Sequence, residues 1–164
     1  MERFDVYDRL GNPTGKVMVR GEAMPKGCYR MVAGVLCMHR DGTVLLMKRH
    51  PDKLTHPNLY EASASGSVLA GEDAEQAARR ELWEETGIVC GELTQIYQAQ
   101  DEKRLFRYYV TFVNCDKDAV RLQPEETVDY CWATRARLAQ MLAQKPSPVI
   151  LHAGVCSYLG LAEG

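Results

Sequence analysis

Apolar and polar positions alternate at Phe4–Asp8 and again at Lys16–Arg20, the period-2 pattern of strands with one face on a core. Gly11-Asn12-Pro13 supplies turn chemistry between them, so the two runs predict a short hairpin, with a linker after it at Pro25 and Gly27. Tyr29–Met38 and Thr43–Arg49 are longer strand runs joined by Asp41-Gly42, a pair suited to a tight hairpin because both residues tolerate positive φ. Pro51 and Pro57 make His50–Asn58 a loop, and Leu59–Ser65 reads as one strand ending at Gly66.

The period then changes. Asp73 can cap a helix, and Gln76 three residues later completes a capping box; the helix is predicted to reach about Glu85 and stop at Thr86-Gly87. Three strands follow, at Leu93–Gln100, Leu105–Cys115 and Val128–Ala133. Leu138, Met141 and Leu142 have helical spacing after Thr134, and Pro148 is expected in the first turn of a last apolar helix that includes Ile150 to Leu159. This order predicts a mixed sheet with helices packed on it, an α/β or α+β sandwich. The expectation is one domain over residues 1–164, with residues 1–27 as hairpin and linker.

Composition changes little in that picture. The 46% hydrophobic and 26% charged content is that of an ordinary globular protein, and a net charge of −2 gives no reason to expect nucleic-acid binding. A local basic patch could still serve a phosphorylated ligand. No run approaches the roughly 20 apolar residues of a membrane span, and the N-terminal stretch lacks the apolar core of a signal peptide. Cys28, Cys37, Cys90, Cys115, Cys131 and Cys156 lie far apart with no Cys-x-x-Cys pair, several of them in strand-like runs. Free thiols in a reducing, cytoplasmic setting are the expectation.

The chemistry concentrates in GSVLAGEDAEQAARRELWEETGI, residues 66–88. On a helix, Glu81, Glu84 and Glu85 are spaced i, i+3, i+4 and share one face, with Cα atoms spanning about 6 Å along the axis. Three carboxylates so close repel one another and weaken an isolated helix by a few tenths of a kcal/mol per pair. Glu72 just precedes the helix and can fold back onto that face. Hard oxygen ligands suit Mg²⁺ or Mn²⁺ and not zinc, and such a cation removes the repulsion while bringing a diphosphate with it. Ala74, Ala77 and Ala78 are small enough to let the helix lie close to a sheet. An isolated acidic run would more simply be a solvated helix face. The full pattern is more specific: Gly-x5-Glu-x7-Arg-Glu-aliphatic-x-Glu-Glu-x-Gly-aliphatic is matched at every fixed position. Nine constrained positions would match by chance on the order of 10⁻⁹ times per starting point.

That pattern resembles the signature of the Nudix hydrolase family. The resemblance implies an α/β/α sandwich in which residues 66–88 form a loop–helix–loop. It also implies that Glu81, Glu84 and Glu85 hold Mg²⁺ or Mn²⁺, assisted by Glu72 and the Gly66 carbonyl. Arg80 would pair with a motif carboxylate and orient it in a supporting role. The implied reaction is attack of water on one phosphorus of a diphosphate, with a carboxylate taking the proton. Glu81 is one candidate for that base; Glu125 or Glu126, in Gln123-Pro124-Glu125-Glu126-Thr127, is the other, and the same loop is equally an acidic turn.

Outside the box, residues 1 to about 132 resemble the Nudix branch related to isopentenyl-diphosphate isomerase. The shared features are Asp5-x-Tyr7-Asp8 with Gly15-Lys16, the strand at Tyr29, and Leu46-Met47-Lys48-Arg49 followed by Lys53. By that resemblance Arg49 and Lys53 clamp the substrate's diphosphate; a solvated basic loop is the alternative. The chain departs from the isomerases at three positions. Ser65 stands where they carry a catalytic cysteine, Ser67 where they carry a metal-binding histidine, and Arg30 where another histidine is expected. Arg30 joins Arg49 and Lys53 as a candidate substrate ligand. Serine is a poor proton donor and a poor metal ligand, so isomerase chemistry is disfavoured.

Tyr60, Tyr97, Phe106, Tyr108 and Tyr109 could stack a base or an organic group, or simply fill the core. Arg104 and Arg107 could reach a phosphate or line a solvated edge. His39, His50, His56 and His152 show no metal-ligand spacing and read as surface or core residues. The expectation is a Mg²⁺- or Mn²⁺-dependent hydrolase of a small organic diphosphate, with nucleoside diphosphate derivatives among the candidates. An isomerase of prenyl diphosphates and a non-catalytic nucleotide sensor are the alternatives. The expected partners are the small-molecule diphosphate and a second copy of the chain, with neither membrane nor nucleic acid.

Overall fold

The computed structural model describes residues 1–162 of the chain; residues 163 and 164, the end of the expected 1–164 domain, lie outside the described residues. Its first strands, β1 (Arg3–Tyr7) and β2 (Pro13–Val19), form the expected antiparallel hairpin. Reciprocal backbone hydrogen bonds between Tyr7 and Tyr29, 2.8 and 2.9 Å, tie it to the rest of the molecule. The elements that follow are β3 (Arg30–His39), β4 (Val44–Arg49), β5 (Tyr60–Glu61), β6 (Ala64–Ser67) and α1 (Ala74–Thr86). After them come β7 (Thr94–Gln100), β8 (Arg104–Val113), β9 (Thr127–Ala133), α2 (Arg135–Ala143), β10 (Val149–Ile150) and α3 (Ala153–Leu159).

Strands β3 to β10 build a mixed eight-stranded sheet among the described residues. β3 runs parallel to β8 from Arg30↔Arg104 to His39↔Val113, and β7 flanks β8 antiparallel. On the other edge, β3 meets β4 at Met38↔Val44, beside the Asp41-Gly42 turn, and the two strands then part. The gap is filled by the segment read from sequence as one strand over Leu59–Ser65. It is two: β5 pairs with β4, and β6 pairs with β3 at Val32–Val35.

Ser63 is the reason the segment can change partners. Its fully buried hydroxyl donates to the Leu45 carbonyl (2.7 Å) and accepts from the Cys37 N–H (2.9 Å), while its own N–H donates to the Val35 carbonyl (2.9 Å). One side chain therefore satisfies backbone groups that the separating strands would otherwise leave unpaired in the interior, where each costs about 1–3 kcal/mol.

Pro148 does not open a helix. The β-branched pair Val149 and Ile150 instead lies parallel against β5, and the Pro148 carbonyl accepts from the Tyr60 N–H at 2.8 Å. The exposed edge of a two-residue strand needs a partner, and β-branched residues suit that role. Helix α3 begins only at Ala153 and ends on Gly160 in the left-handed region.

The two faces of the sheet are both covered. On one, Ala77, Ala78 and Leu82 of α1 pack on Val35, Cys37 and Leu45. On the other, Leu138 and Leu142 of α2 and Val155 and Leu159 of α3 pack on Leu36, Leu46 and Val110. The result is an α/β/α sandwich. Gly34 permits one close approach: a Cβ there would lie 2.2 Å from the Tyr108 ring, which crosses the backbone of β3 at that point. Among the described residues no helix is long and apolar enough to cross a membrane.

Helix α1 is delimited as its sequence dictates. Asp73 accepts from the Gln76 N–H (2.8 Å) and Gln76 accepts from the Asp73 N–H (2.9 Å), and Gly87 closes the helix at φ 72°. Leu82 is fully buried on this helix, whereas its neighbour Trp83 is 54% exposed. Leu82→Ala is therefore expected to cost about 2–5 kcal/mol in urea denaturation, and Trp83→Ala less than about 1 kcal/mol. Equal losses in the two variants would mean that α1 is docked the wrong way round.

Candidate active site

The acidic face of α1 lies against β6, and the two elements enclose a cleft of about 200 Å³. Glu81, Glu84 and Glu85 line one side, and Ser65, Gly66 and Ser67 the other. Gly66 is needed there, because a Cβ would stand 2.0 Å from a Glu81 carboxylate oxygen. Arg80 lies among the acids. Its Nε and Nη2 donate to the two Glu72 oxygens at 2.7 and 3.0 Å, its Nη1 to Glu81 (2.7 Å) and Glu84 (3.2 Å), and its Nη2 also to the Ser67 carbonyl (3.0 Å). One planar cation thus ties three glutamates and the β6 backbone together.

That cation does not balance every charge. Hydrogen bonds from Arg80 hold the Glu72 carboxyl below the usual carboxylate range. Burial pushes Glu81 up in spite of its bond to Arg80. Glu85 is 6% exposed, and its pKa lies well above the ordinary value, from burial first and then from the negative charges of Glu61, Glu81 and Glu126. The Ser65 backbone beside it opposes this shift only in part, and among the described residues no ion pair reaches Glu85. A low-dielectric cleft crowded with carboxylates favours a divalent cation, and the donors are hard oxygens that fit Mg²⁺ or Mn²⁺. Among the described residues no three such side chains stand already converged as a ligand set. Glu72, Glu81, Glu84 and Glu126 are instead turned onto cations of the chain itself.

Two of those cations are the expected diphosphate ligands. Arg49 donates to Glu61 at 2.7 Å and to the Thr55 carbonyl at 3.1 Å, and Lys53 pairs with Glu126. Both line the cleft, as does Glu126; Glu125, with φ 66°, does not. Glu72 sits behind Arg80 and does not line the cleft. Arg30 is not a lining residue either: its Nη1 donates to the Ser67 hydroxyl at 3.1 Å. Arg107 and Tyr109 fall on the α1 side of β8, away from the cleft, with Tyr109 in the core. Tyr60 donates its hydroxyl to Asp129 at 2.7 Å.

Three contributors escaped the sequence reading. Glu61 is half-buried, and its negative charge acts on Glu85; its signal was a lone carboxylate inside a strand-like run. Glu2 and Arg20, an ion pair at 2.9 Å across the hairpin, line the cleft mouth. Nothing local in the sequence marks either of them. A second cavity, of about 340 Å³, adjoins the cleft and shares Arg49 and Ser65 with it; Phe106, Tyr108, Arg104 and His152 are among its walls.

A loop–helix–loop that gathers glutamates around an arginine at the split edge of an α/β/α sandwich defines an enzyme class, the Nudix-type hydrolases. The NUDIX domain family matches residues 29–153, and the chain belongs to that family. An uncharacterized Nudix hydrolase of Listeria monocytogenes is 32% identical over 140 residues, covering 84% of this chain and 83% of that one. Isopentenyl-diphosphate Delta-isomerase 2 of Photorhabdus laumondii is 28% identical over 147 residues, 86% and 82% of the two chains. The crystal structure of DR0079 from Deinococcus radiodurans shares the fold, with a TM-score of 0.74 over 97% of this chain and 98% of that one, at 18% identity.

The raised pKa of Glu85 makes a prediction about the metal-free protein. Below the unfolded glutamate pKa of about 4.3 the group is protonated in both states. As pH rises, the unfolded chain ionises freely while the folded chain resists, so stability falls until the folded pKa is passed. In EDTA, Glu85→Gln should therefore gain stability over the native chain progressively from pH 5 to pH 8, read from urea midpoints. A difference independent of pH would show that Glu85 does not titrate in this way.

Proposed function

We propose that the cleft hydrolyses the phosphoanhydride bond of a small organic diphosphate with a divalent cation, Mg²⁺ or Mn²⁺. The observation that carries this is the crowding of Glu81, Glu84, Glu85 and Glu126 around a cleft whose flanking cations, Arg49 and Lys53, can each release a carboxylate and take a phosphate. A bound divalent cation would withdraw charge from the phosphoryl oxygens and lower the pKa of water. Glu81, Glu84 and Glu85 would hold it, with the Gly66 carbonyl beside them. Arg80 fixes the rotamers of Glu81 and Glu84 and keeps Glu72 ionised. In the reaction, a water oxygen bonds to one phosphorus, the anhydride P–O bond breaks, and two phosphorylated products leave. The proton of the attacking water passes to a carboxylate; Glu81 and Glu126 both line the space where it would stand.

Isomerase chemistry gains no support from this geometry. Ser67 is engaged by Arg30, and Ser65 is a hydroxyl on the cleft wall, so neither offers an acid or an imidazole. The free thiols of Cys28, Cys37, Cys90, Cys115 and Cys131 accord with a reducing cytoplasmic location.

Chelation with EDTA should abolish turnover, and added Mg²⁺ or Mn²⁺ should restore it. Glu84→Gln and Glu85→Gln should each lower kcat by at least about 10²-fold, because each removes charge from the cation. Near-normal rates in both variants, with metal still required, would remove these residues from the metal site. The cations can be tested separately. Arg49→Ala and Lys53→Ala should raise KM by roughly tenfold each, as expected for one lost charged hydrogen bond. Arg49→Lys should recover only part of that loss, because the planar fork is gone. Unchanged KM in both alanine variants, on the best substrate of a nucleotide and prenyl diphosphate panel, would exclude the clamp.

A further inference from the structure

A further hollow, away from the acid cleft, lies between the turn of the N-terminal hairpin and the strand pair β7–β8. Its volume is about 360 Å³, within the range of small-molecule sites, and Arg9, Leu10, Gln98, Gln100, Leu105 and Arg107 are among its walls. Two cross-strand pairs form the floor. Gln98 stands opposite Arg107 and Gln100 opposite Leu105, and residues directly opposite in an antiparallel pair share one face. The hairpin turn forms the roof. Asp8 builds it, accepting from the Leu10 and Asn12 N–H groups at 2.8 and 2.9 Å and from the Asn12 side-chain amide at 3.1 Å. Gly11 then passes close above the floor: a Cβ there would lie 3.2 Å from Arg107 Nη2 and 3.8 Å from the Leu105 side chain.

We propose that this hollow binds a phosphate dianion, free or as the end group of a small organic monoester, between the guanidinium groups of Arg9 and Arg107. The proposal does not depend on the reaction assigned to the acid cleft, because the two spaces share no lining residue. They lie at opposite ends of the hairpin, with Glu2 and Arg20 at the cleft mouth and Arg9 and Leu10 at the hollow. From Glu2 to Asp8 an extended strand covers about 20 Å, at 3.3 Å per residue.

Unmatched charge carries the argument. Arginines at the acid cleft are paired: Arg20 with Glu2, Arg49 with Glu61, Arg80 with Glu72. Among the described residues neither Arg9 nor Arg107 is in an ion pair, and the only side-chain hydrogen bond of either is from Arg107 Nη1 to the Phe106 carbonyl at 3.2 Å. No carboxylate is among the residues that line the hollow, and Asp8, the acid nearest Arg9 in sequence, has both oxygens engaged inside its turn. Arg107 is half-buried and held between its own strand and Gly11, so its remaining donors have a fixed direction. Two cations facing one space repel, and an anion between them replaces that repulsion with two attractions. A phosphate monoester carries about −1.5 to −2 at pH 7, which two guanidiniums match, and its oxygens suit the guanidinium fork. A carboxylate brings a single charge. The amides of Gln98 and Gln100 add donors for the remaining phosphate oxygens and acceptors for hydroxyls of an ester.

The test titrates the full chain in EDTA with orthophosphate, glycerol phosphate and acetate, followed by NMR of the amide groups. Both phosphates should shift the Gly11 backbone amide and the Gln98 and Gln100 side-chain amides and leave the Gly66 amide in place, while acetate binds at least about tenfold more weakly, having one charge fewer. Arg9→Gln, a change on an exposed turn, and Arg107→Gln should each weaken phosphate about tenfold, as for one lost charged hydrogen bond. Arg107→Lys should recover only part of that loss, and Arg49→Ala should leave the titration unchanged. Tighter binding of glycerol phosphate than of orthophosphate would identify an organic ester as the ligand, and equal affinity the free ion; both support the site. An unmoved Gly11 amide, native affinity in either glutamine variant, acetate binding as tightly as phosphate, or loss of binding in Arg49→Ala would each overturn the proposal.

Discussion

The functional half of this molecule depends on β3 and β4 meeting at Met38 and Val44 and then diverging. A continuous sheet would have paired them along their length and left no space between. Divergence exposes backbone groups on both strands inside the protein, and the fold survives it because Ser63 bonds to Cys37, Leu45 and Val35 at the branch point. From there the chain continues on both sides of the split. Glu61, on the β5 side, and Ser65–Ser67, on the β6 side, are only a few residues apart in sequence and face the two adjoining spaces. The acid cleft and the ring-lined cavity are thus consequences of one topological event.

Charge is arranged around that split in matched pairs that differ in burial. Arg80 binds Glu72, Glu81 and Glu84 at once and is fixed further by the Ser67 carbonyl, which makes it a structural cation. Arg49–Glu61 and Lys53–Glu126 are single ion pairs, each cation holding one carboxylate, with Arg49 anchored further only by the exposed Thr55. Removing one partner from a part-buried pair is costly unless another ion replaces it. On the proposed function a diphosphate with its divalent cation would replace both at once, the anion taking the arginine and lysine and the cation the carboxylates. The cleft would then be better balanced with both bound than with either alone, the electrostatic condition for admitting a diphosphate as its metal complex.

Much of this was legible in the sequence where a local rule was at work. The capping box at Asp73 and Gln76, the stop at Gly87, the hairpin at Asp41-Gly42 and the glutamate face of α1 each follow from a few neighbouring residues, and the structure has all of them. What could not be read was pairing. Leu59–Ser65 is apolar enough for one strand, and only the separation of β3 from β4 divides it in two. Val149 and Ile150 fit a helix or a strand equally, and the open edge of β5 decides. Arg80 is expected to pair with one motif carboxylate, and it meets Glu84 at i, i+4; its shorter contacts are to Glu72 and Glu81, and the one to Glu72 depends on how the loop before α1 folds back.

The same distinction explains why the residues of the acid cleft were more legible than those of the adjoining cavity. A metal cluster on one helix writes itself into a fixed spacing, because i, i+3 and i+4 must share a face. The cavity draws Tyr108 and Phe106 from β8, Ile150 from β10 and His152 from the turn before α3, and no spacing connects them. Glu2 and Arg20 reach the cleft from a hairpin that lies outside residues 29–153, the stretch common to the family. These residues come from elements other than α1, so on the proposed function the helix would carry the chemistry while the strand pairings beyond it shape the space beside it.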